Sequence, residues 1–124
     1  MPDRLVAPPG WPREVRPPDA PDWERTAVAW LLDICPPEYR TIGVLRRHDV
    51  VLARFAAIHI QGCLVATRRG LSEARGELRD VAHPDVVEAA VEIWLAEEAR
   101  LTGVRRAVAL VEEALRGRRF AARL

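Results

Sequence analysis

Apolar residues recur in steps of three and four over more than four heptads in the middle of the chain, and this pattern constrains the fold most. A stripe with this spacing lies along one face of an α-helix. The spacing therefore predicts one long helix over residues 48–81, about 50 Å long at a rise of 1.5 Å per residue. The residues of the stripe are Val50, Ala53, Ala57, Ile60, Leu64, Thr67, Leu71, Ala74, Leu78 and Val81.

Three glycines interrupt this predicted helix: Gly62, Gly70 and Gly76. Glycine weakens a helix by up to about 1 kcal/mol relative to alanine. Close approach of a neighbouring helix would compensate for this loss, and we expect such an approach here.

A second heptad pattern predicts another long helix over residues 84–116. Pro84 suits the first helical position, and Asp85 favours the positive end of the helix dipole. Because only two or three residues separate the two long helices, they must fold back as an antiparallel hairpin, in which Trp94 is expected to face Ala74. The second stripe consists of Val87, Ala90, Trp94, Glu97, Leu101, Val104, Val108, Val111 and Leu115.

The residues before the hairpin predict one short helix and an irregular connection. Helical spacing over residues 22–35 ends at the pair Pro36-Pro37, because a residue that precedes proline avoids the α conformation. Tyr39, Ile42 and Leu45 then recur every three residues, which is typical of a 3₁₀ helix or a single helical turn.

Seven of the ten prolines lie in residues 1–21. Proline at this density excludes helix and central strand and favours an extended, polyproline-like arm. Trp11 either anchors this arm to the domain or belongs to a disordered tail.

These patterns together predict an all-α fold: a short N-terminal helix packed on a long antiparallel helical hairpin, preceded by a proline-rich extended arm. The arm covers residues 1–21. The three-helix domain covers residues 22–117, with helices over 22–35, 48–81 and 84–116. A basic tail covers residues 118–124.

Composition narrows the class of protein. The 124 residues suffice for one domain. All 19 basic residues are arginine, and 18 acidic residues leave a net charge of +1, which argues against a protein that coats polyanions. No apolar run approaches the roughly 18 residues that a membrane helix needs, and no signal-peptide pattern opens the chain. We therefore expect a soluble, cytoplasmic protein.

The sequence predicts no catalytic, cofactor-binding or metal-binding residues. His59 and Cys63 share one helix face, but a tetrahedral metal site needs two further ligands, and none has a defined position nearby. Ser72, the one serine, lies among charged residues without the partners of a catalytic triad. The glycines are scattered and form no phosphate-binding loop. We expect a protein that is not an enzyme.

The second long helix is apolar on nearly every side around Trp94, near the closed end of the hairpin. A two-helix hairpin cannot bury such a helix alone, so either the arm, a partner helix or a second copy must cover it. We expect self-association into a four-helix, coiled-coil-like homodimer. Glu97 is a rim residue, a polar group that fixes register or oligomeric state, or part of a ligand site. The predicted contact residues are Val86, Ile93, Trp94, Leu95 and Glu97.

Adjacent arginines suggest an alternative function. Paired guanidinium groups suit phosphate contacts. Solvated ion pairs explain most of the arginine pairs, because only the tail is basic in net charge. The alternative is a nucleic-acid-associated protein that uses Arg68, Arg69, Arg105, Arg106, Arg118 and Arg119.

Two segments resemble small uncharacterised all-helical proteins of high-GC bacteria. The first lies within residues 23–54 and includes Ala27-Val-Ala-Trp-Leu-Leu-Asp-Ile-Cys-Pro-Pro-Glu-Tyr-Arg40 and Val44-Leu-Arg-Arg-His48. The second is Arg105-Arg-Ala-Val-Ala-Leu-Val-Glu-Glu-Ala-Leu115. This resemblance implies no known activity, cofactor or catalytic residue.

Overall fold

The computed structural model describes residues 6–117, which form helices, turns and irregular connections without any strand. The predicted all-α fold is confirmed. The predicted basic tail, residues 118–124, lies outside the described residues. The helices are α1 (Trp23–Ile34), a 3₁₀ helix (Pro37–Thr41), α2 (Gly43–Arg47), α3 (Asp49–Leu78) and α4 (Pro84–Leu115).

Helices α3 and α4 form the predicted antiparallel hairpin. Arg75 of α3 pairs with Glu88 near the start of α4 through two hydrogen bonds of 2.9 and 3.0 Å, at the closed end. At the open end, Arg54 lies 3.3 Å from Glu112. Pro84 is the first residue of α4, and the Nδ1 atom of His83 accepts a hydrogen bond of 3.2 Å from the amide of Asp85.

Helix α1 packs across the open end of the hairpin because one of its faces is apolar. Large side chains of this face, among them Trp23 and Leu31, are buried against α3 and α4. The hairpin contributes mostly small or β-branched residues to this core, which lets the three helices approach closely. The hairpin residues of the core are Leu52, Ala53, Ala56, Ala107, Val108, Val111 and Ala114.

A second, smaller core cluster lies midway along the hairpin. It consists of Ile60, Leu64 and Leu101, and Ile34 at the end of α1 packs against it. Helix α1 therefore covers the hairpin from the open end to this level and ends there.

The ambiguous segment after α1 folds as the 3₁₀ helix and α2, in agreement with the three-residue spacing. Leu45 of α2 is buried in the core. The Tyr39 ring meets the ring of Phe55 edge-on, with centroids 5.9 Å apart.

The proline-rich arm is a series of turns and does not form a polyproline helix over the described residues. Carbonyl groups of Pro8, Pro12 and Pro17 accept hydrogen bonds from amides three residues later. The Trp11 indole N–H donates to the Val15 carbonyl at 3.0 Å, and its ring lies 6.1 Å from the Trp23 ring. The arm is therefore anchored to the domain at α1.

The arm also contacts the second half of α4. Gly10 has a positive φ of 90°, and a methyl group added to it would lie 3.2 Å from Cδ of Arg106 and 3.5 Å from Cδ1 of Leu110. Residues 6–21 of the arm thus lie at the open half of the hairpin, with Gly10 beside Arg106 and Leu110, and residues 1–5 lie outside the described residues. This placement corrects the idea that the arm covers the apolar closed end.

Helix α3 is more apolar than the sequence analysis allowed. An 18-residue window within Asp49–Leu78 has a mean hydropathy of 1.6, which by length and composition alone is sufficient to cross a membrane. Within the protein, 28% of that window is buried. A core helix of a soluble protein passes the same test, so the feature is weak evidence for a membrane span.

Candidate interaction surface

The closed half of the hairpin, residues 67–98, has a poor core of its own. Its buried hydrophobic residues within the described chain are Ala74, Val87 and Val91. By contrast, Val86 is 58% exposed and Ile93 is 70% exposed. Two helices alone leave this part of the molecule with apolar side chains in water, as the sequence pattern of α4 indicates.

Trp94 lies across α3 at Gly70. A methyl group added to Gly70 would lie 3.0 Å from Cε2 and 3.1 Å from Nε1 of the indole. The close approach expected at a glycine therefore occurs at this position, whereas Gly62 and Gly76 have open space around them. Gly70 lies one helical turn before Ala74, the residue that the sequence predicts Trp94 to face.

Helix geometry divides the predicted contact residues between two flanks of α4. Val86 and Ile93 are one heptad apart and share a flank. Leu95 lies roughly 160° from Ile93 around the axis, because each residue advances an α-helix by about 100°. Leu95 is 49% exposed, but it cannot belong to the same contact as Ile93.

The flank with Ile93 continues the groove that α1 occupies. Cys63 and Val104 pack with Ile34 around the second core cluster. One heptad further toward the closed end, the same face carries Gly70 on α3 and Glu97 on α4. We call this surface the uncovered groove; it is formed by Gly70, Val86, Ala90, Ile93, Trp94 and Glu97.

Glu97 is paired within its own helix. Arg100 donates hydrogen bonds of 2.7 and 2.9 Å to its two carboxylate oxygens. These hydrogen bonds lower the pKa of Glu97 and raise the pKa of Arg100. Glu97 therefore forms a solvated ion pair at the rim of the groove, in line with the rim interpretation.

The described arginines of the alternative function each contact another part of the chain. Arg68 donates to Glu98 at 2.9 Å, and Arg69 donates to Glu73 at 3.2 Å. Arg105 contacts Gln61 at 3.3 Å, and Arg106 lies against the arm. Arg118 and Arg119 lie outside the described residues.

A second apolar surface, which the sequence analysis did not identify, lies on the outer face of α3. Val51, Phe55, Ile58 and Val65 are all exposed there and follow one another in steps of four, three and seven. Phe55 of this stripe lies beside Tyr39. The regular spacing of this outer stripe was the available signal, because a helix with two apolar stripes has apolar residues on opposite faces.

His59 and Cys63 do come together, with Nε2 and Sγ 3.6 Å apart. Within residues 6–117, no group of three His, Cys, Asp or Glu side chains is placed to hold a metal ion. Cys35 is buried, and burial raises the pKa of its thiol to about 11, so it behaves as a small hydrophobic residue.

The uncovered groove and the outer stripe are thus two exposed apolar surfaces on separate faces of the hairpin. The uncovered groove differs from the outer stripe in one respect: it continues the face of the hairpin on which α1 packs. Comparisons of the chain with protein-family models, with curated proteins and with solved structures find no match.

Proposed function

We propose that this protein is a non-enzymatic helical interaction module that pairs with a second copy of itself through the uncovered groove. The observation that carries the proposal is the end of α1 at Ile34, midway along the hairpin. Three helices share the core up to that level. Beyond it, two helices remain, with Val86 and Ile93 exposed.

A second hairpin has the shape that this groove requires. The groove already accepts a helix, α1, in its open half, so its closed half suits another helix of similar diameter. Two closed halves packed together form four helices around one core, which buries the apolar stripe of each. Because α1 ends at the second core cluster, it leaves room for the second hairpin.

The charges at the rim of the groove are compatible with self-pairing. In a symmetric pair, a charge near the two-fold axis meets its own copy, and like charges directly opposite are costly. Glu97 is neutralised by Arg100 within its own chain. This carboxylate therefore brings no unpaired charge to the interface.

Ile93→Glu and Val65→Glu form a matched pair that tests this surface. Both replace an exposed aliphatic residue of a long helix with the same charge, one in the uncovered groove and one on the outer stripe. Sedimentation equilibrium is expected to give a dimer for Val65→Glu and a monomer for Ile93→Glu, with unchanged helical circular dichroism in both. A dimer that survives Ile93→Glu contradicts the proposal, and loss of the dimer in Val65→Glu alone assigns the contact to the outer stripe.

Nucleic-acid binding stays an alternative prediction, and salt distinguishes it from helix pairing. Phosphate contacts release counterions, so nucleic-acid affinity falls steeply as salt rises, whereas apolar association does not. Deletion of residues 118–124 is expected to abolish nucleic-acid binding and to leave the dimer intact.

A further inference from the structure

Four arginines surround a cavity at the open end of the molecule, away from the uncovered groove. The cavity is a surface depression, open to solvent on one side, with a volume of about 450 Å³. Arg25 of α1, Arg40 of the 3₁₀ helix, and Arg46 and Arg47 of α2 form its rim. Three short elements of the chain thus direct guanidinium groups to one place.

The floor of the cavity is apolar. It is formed by Val28, Ala29 and Leu32, which lie on the face of α1 that turns toward α2. Leu32 is buried, Val28 is half-buried and Ala29 is exposed. A ligand in this cavity therefore meets aliphatic carbon below and positive charge around the edge.

The positive charge of the rim is only half neutralised. Arg25 pairs with Asp22 at 3.6 Å, and Arg40 pairs with Asp33. Arg46 and Arg47 form no ion pair with any residue of the described chain. Two uncompensated guanidinium groups remain, which matches the charge of about −2 on a phosphate monoester.

Gly43, which has no side chain, leaves space beside the cavity for the guanidinium group of Arg47. A methyl group added to Gly43 would lie 2.7 Å from Nη1 of Arg47 and 3.4 Å from its Cζ. The guanidinium of Arg47 therefore lies directly over the glycine, in a position that any side chain at residue 43 would occupy. Gly43 and Arg47 lie one helical turn apart, and both line the cavity.

We propose that this cavity binds a small organic phosphate, with the phosphate between Arg46 and Arg47 and the apolar part of the ligand on Val28 and Leu32. Guanidinium groups bind phosphate oxygens through paired hydrogen bonds, and two such groups suit a dianion better than a carboxylate. The apolar floor selects an ester with a hydrocarbon or aromatic group over inorganic phosphate. The site lies apart from the proposed dimer contact, so either can fail without the other.

Calorimetric titration with phenyl phosphate tests the proposal. The wild-type protein is expected to bind it saturably at one site per chain. Arg46→Ala/Arg47→Ala is expected to weaken binding at least about tenfold, because both unpaired guanidinium groups are removed. Arg13→Ala/Arg105→Ala removes the same charge elsewhere and is expected to leave the affinity within about twofold, since distant exposed charges are screened by salt.

Two further titrations measure the separate contributions of the phosphate and of the apolar group to the affinity. Inorganic phosphate is expected to bind more weakly than phenyl phosphate, and benzyl alcohol, which lacks the charge, is expected not to bind. Absence of saturable binding, equal affinity of the two double variants, or equal affinity for inorganic phosphate overturns the proposal.

Discussion

Trp94 of α4 lies on the backbone of α3 at Gly70, where an added methyl group would come within 3.0 Å of the indole ring. A methyl group at residue 70 would push the ring away by a few tenths of an ångström. The contact joins the two long helices in the closed half of the hairpin, which has the smaller core. It also determines how deeply the Trp94 ring lies in the uncovered groove.

Because of this contact, we expect alanine substitution to change the free energy of unfolding differently at two glycines of α3. Gly76 has open space around it, so Gly76→Ala is expected to raise the free energy of unfolding by about 0.5–1 kcal/mol through helix propensity. Gly70→Ala gains the same propensity but displaces the Trp94 ring, so it is expected to be less stable than Gly76→Ala by about 1 kcal/mol or more. Urea unfolding followed by circular dichroism measures both. Equal stabilisation of the two variants would show that the ring does not lie on Gly70.

Glu112 is the one buried charged residue of the described chain, at 8% exposure. It lies between Arg54, at 3.3 Å, and Arg116, at 3.0 Å. Removal of the carboxylate leaves two cations facing each other at the open end of the hairpin.

Glu112→Ala is therefore expected to lower the free energy of unfolding by about 1–3 kcal/mol, because it breaks a buried ionic contact. Glu73→Ala breaks the exposed pair with Arg69 and is expected to cost less than about 0.5 kcal/mol. The comparison uses chemical denaturation at neutral pH and low salt. A Glu112 variant as stable as the Glu73 variant would contradict the importance of this contact for the open end.

Because the Cys35 thiol is buried, we expect the free energy of unfolding to fall at alkaline pH. Burial raises the pKa of its thiol from 9.0 to about 11. A folded-state pKa above the unfolded one means that the neutral thiol stabilises the fold fully below pH 9, and that this contribution is lost as the pH rises toward 11. Unfolding free energies across that range should fall in the wild type and fall less in Cys35→Ser.

Thiol modification of the native protein at pH 8 gives an independent check on Cys35. Cys63, which is half-buried beside His59, is expected to react first, and Cys35 is expected to react only after unfolding. The variants Cys35→Ser and Cys63→Ser assign the two phases. Rapid reaction of Cys35 in the folded protein would contradict its burial.

The helical hairpin is predictable from the sequence because each of its parts is determined by nearby residues. Apolar residues in steps of three and four define each long helix, and the break at His83-Pro84-Asp85 leaves a connection so short that the two helices must be antiparallel. The excess of apolar residues around Ile93 is likewise visible in the sequence, since it exceeds what one partner helix can bury.

Features that depend on three-dimensional packing were not predictable in this way. The contact of the Trp94 ring with Gly70 depends on the missing side chain at residue 70, and the heptad pattern does not show which glycine a neighbouring helix approaches. The edge-on contact between Tyr39 and Phe55 joins two segments with separate sequence patterns, so neither pattern predicts it. The cavity with Arg46 and Arg47 joins three elements whose relative positions no periodicity describes.

The central claim is that the closed half of the hairpin pairs with a second copy of the chain. Sedimentation equilibrium of the wild-type protein over a wide concentration range, at low and at high salt, tests it most directly. The account predicts a species of twice the 13.9 kDa chain mass that persists at high salt. A protein that remains a 13.9 kDa monomer at the highest concentrations would contradict it.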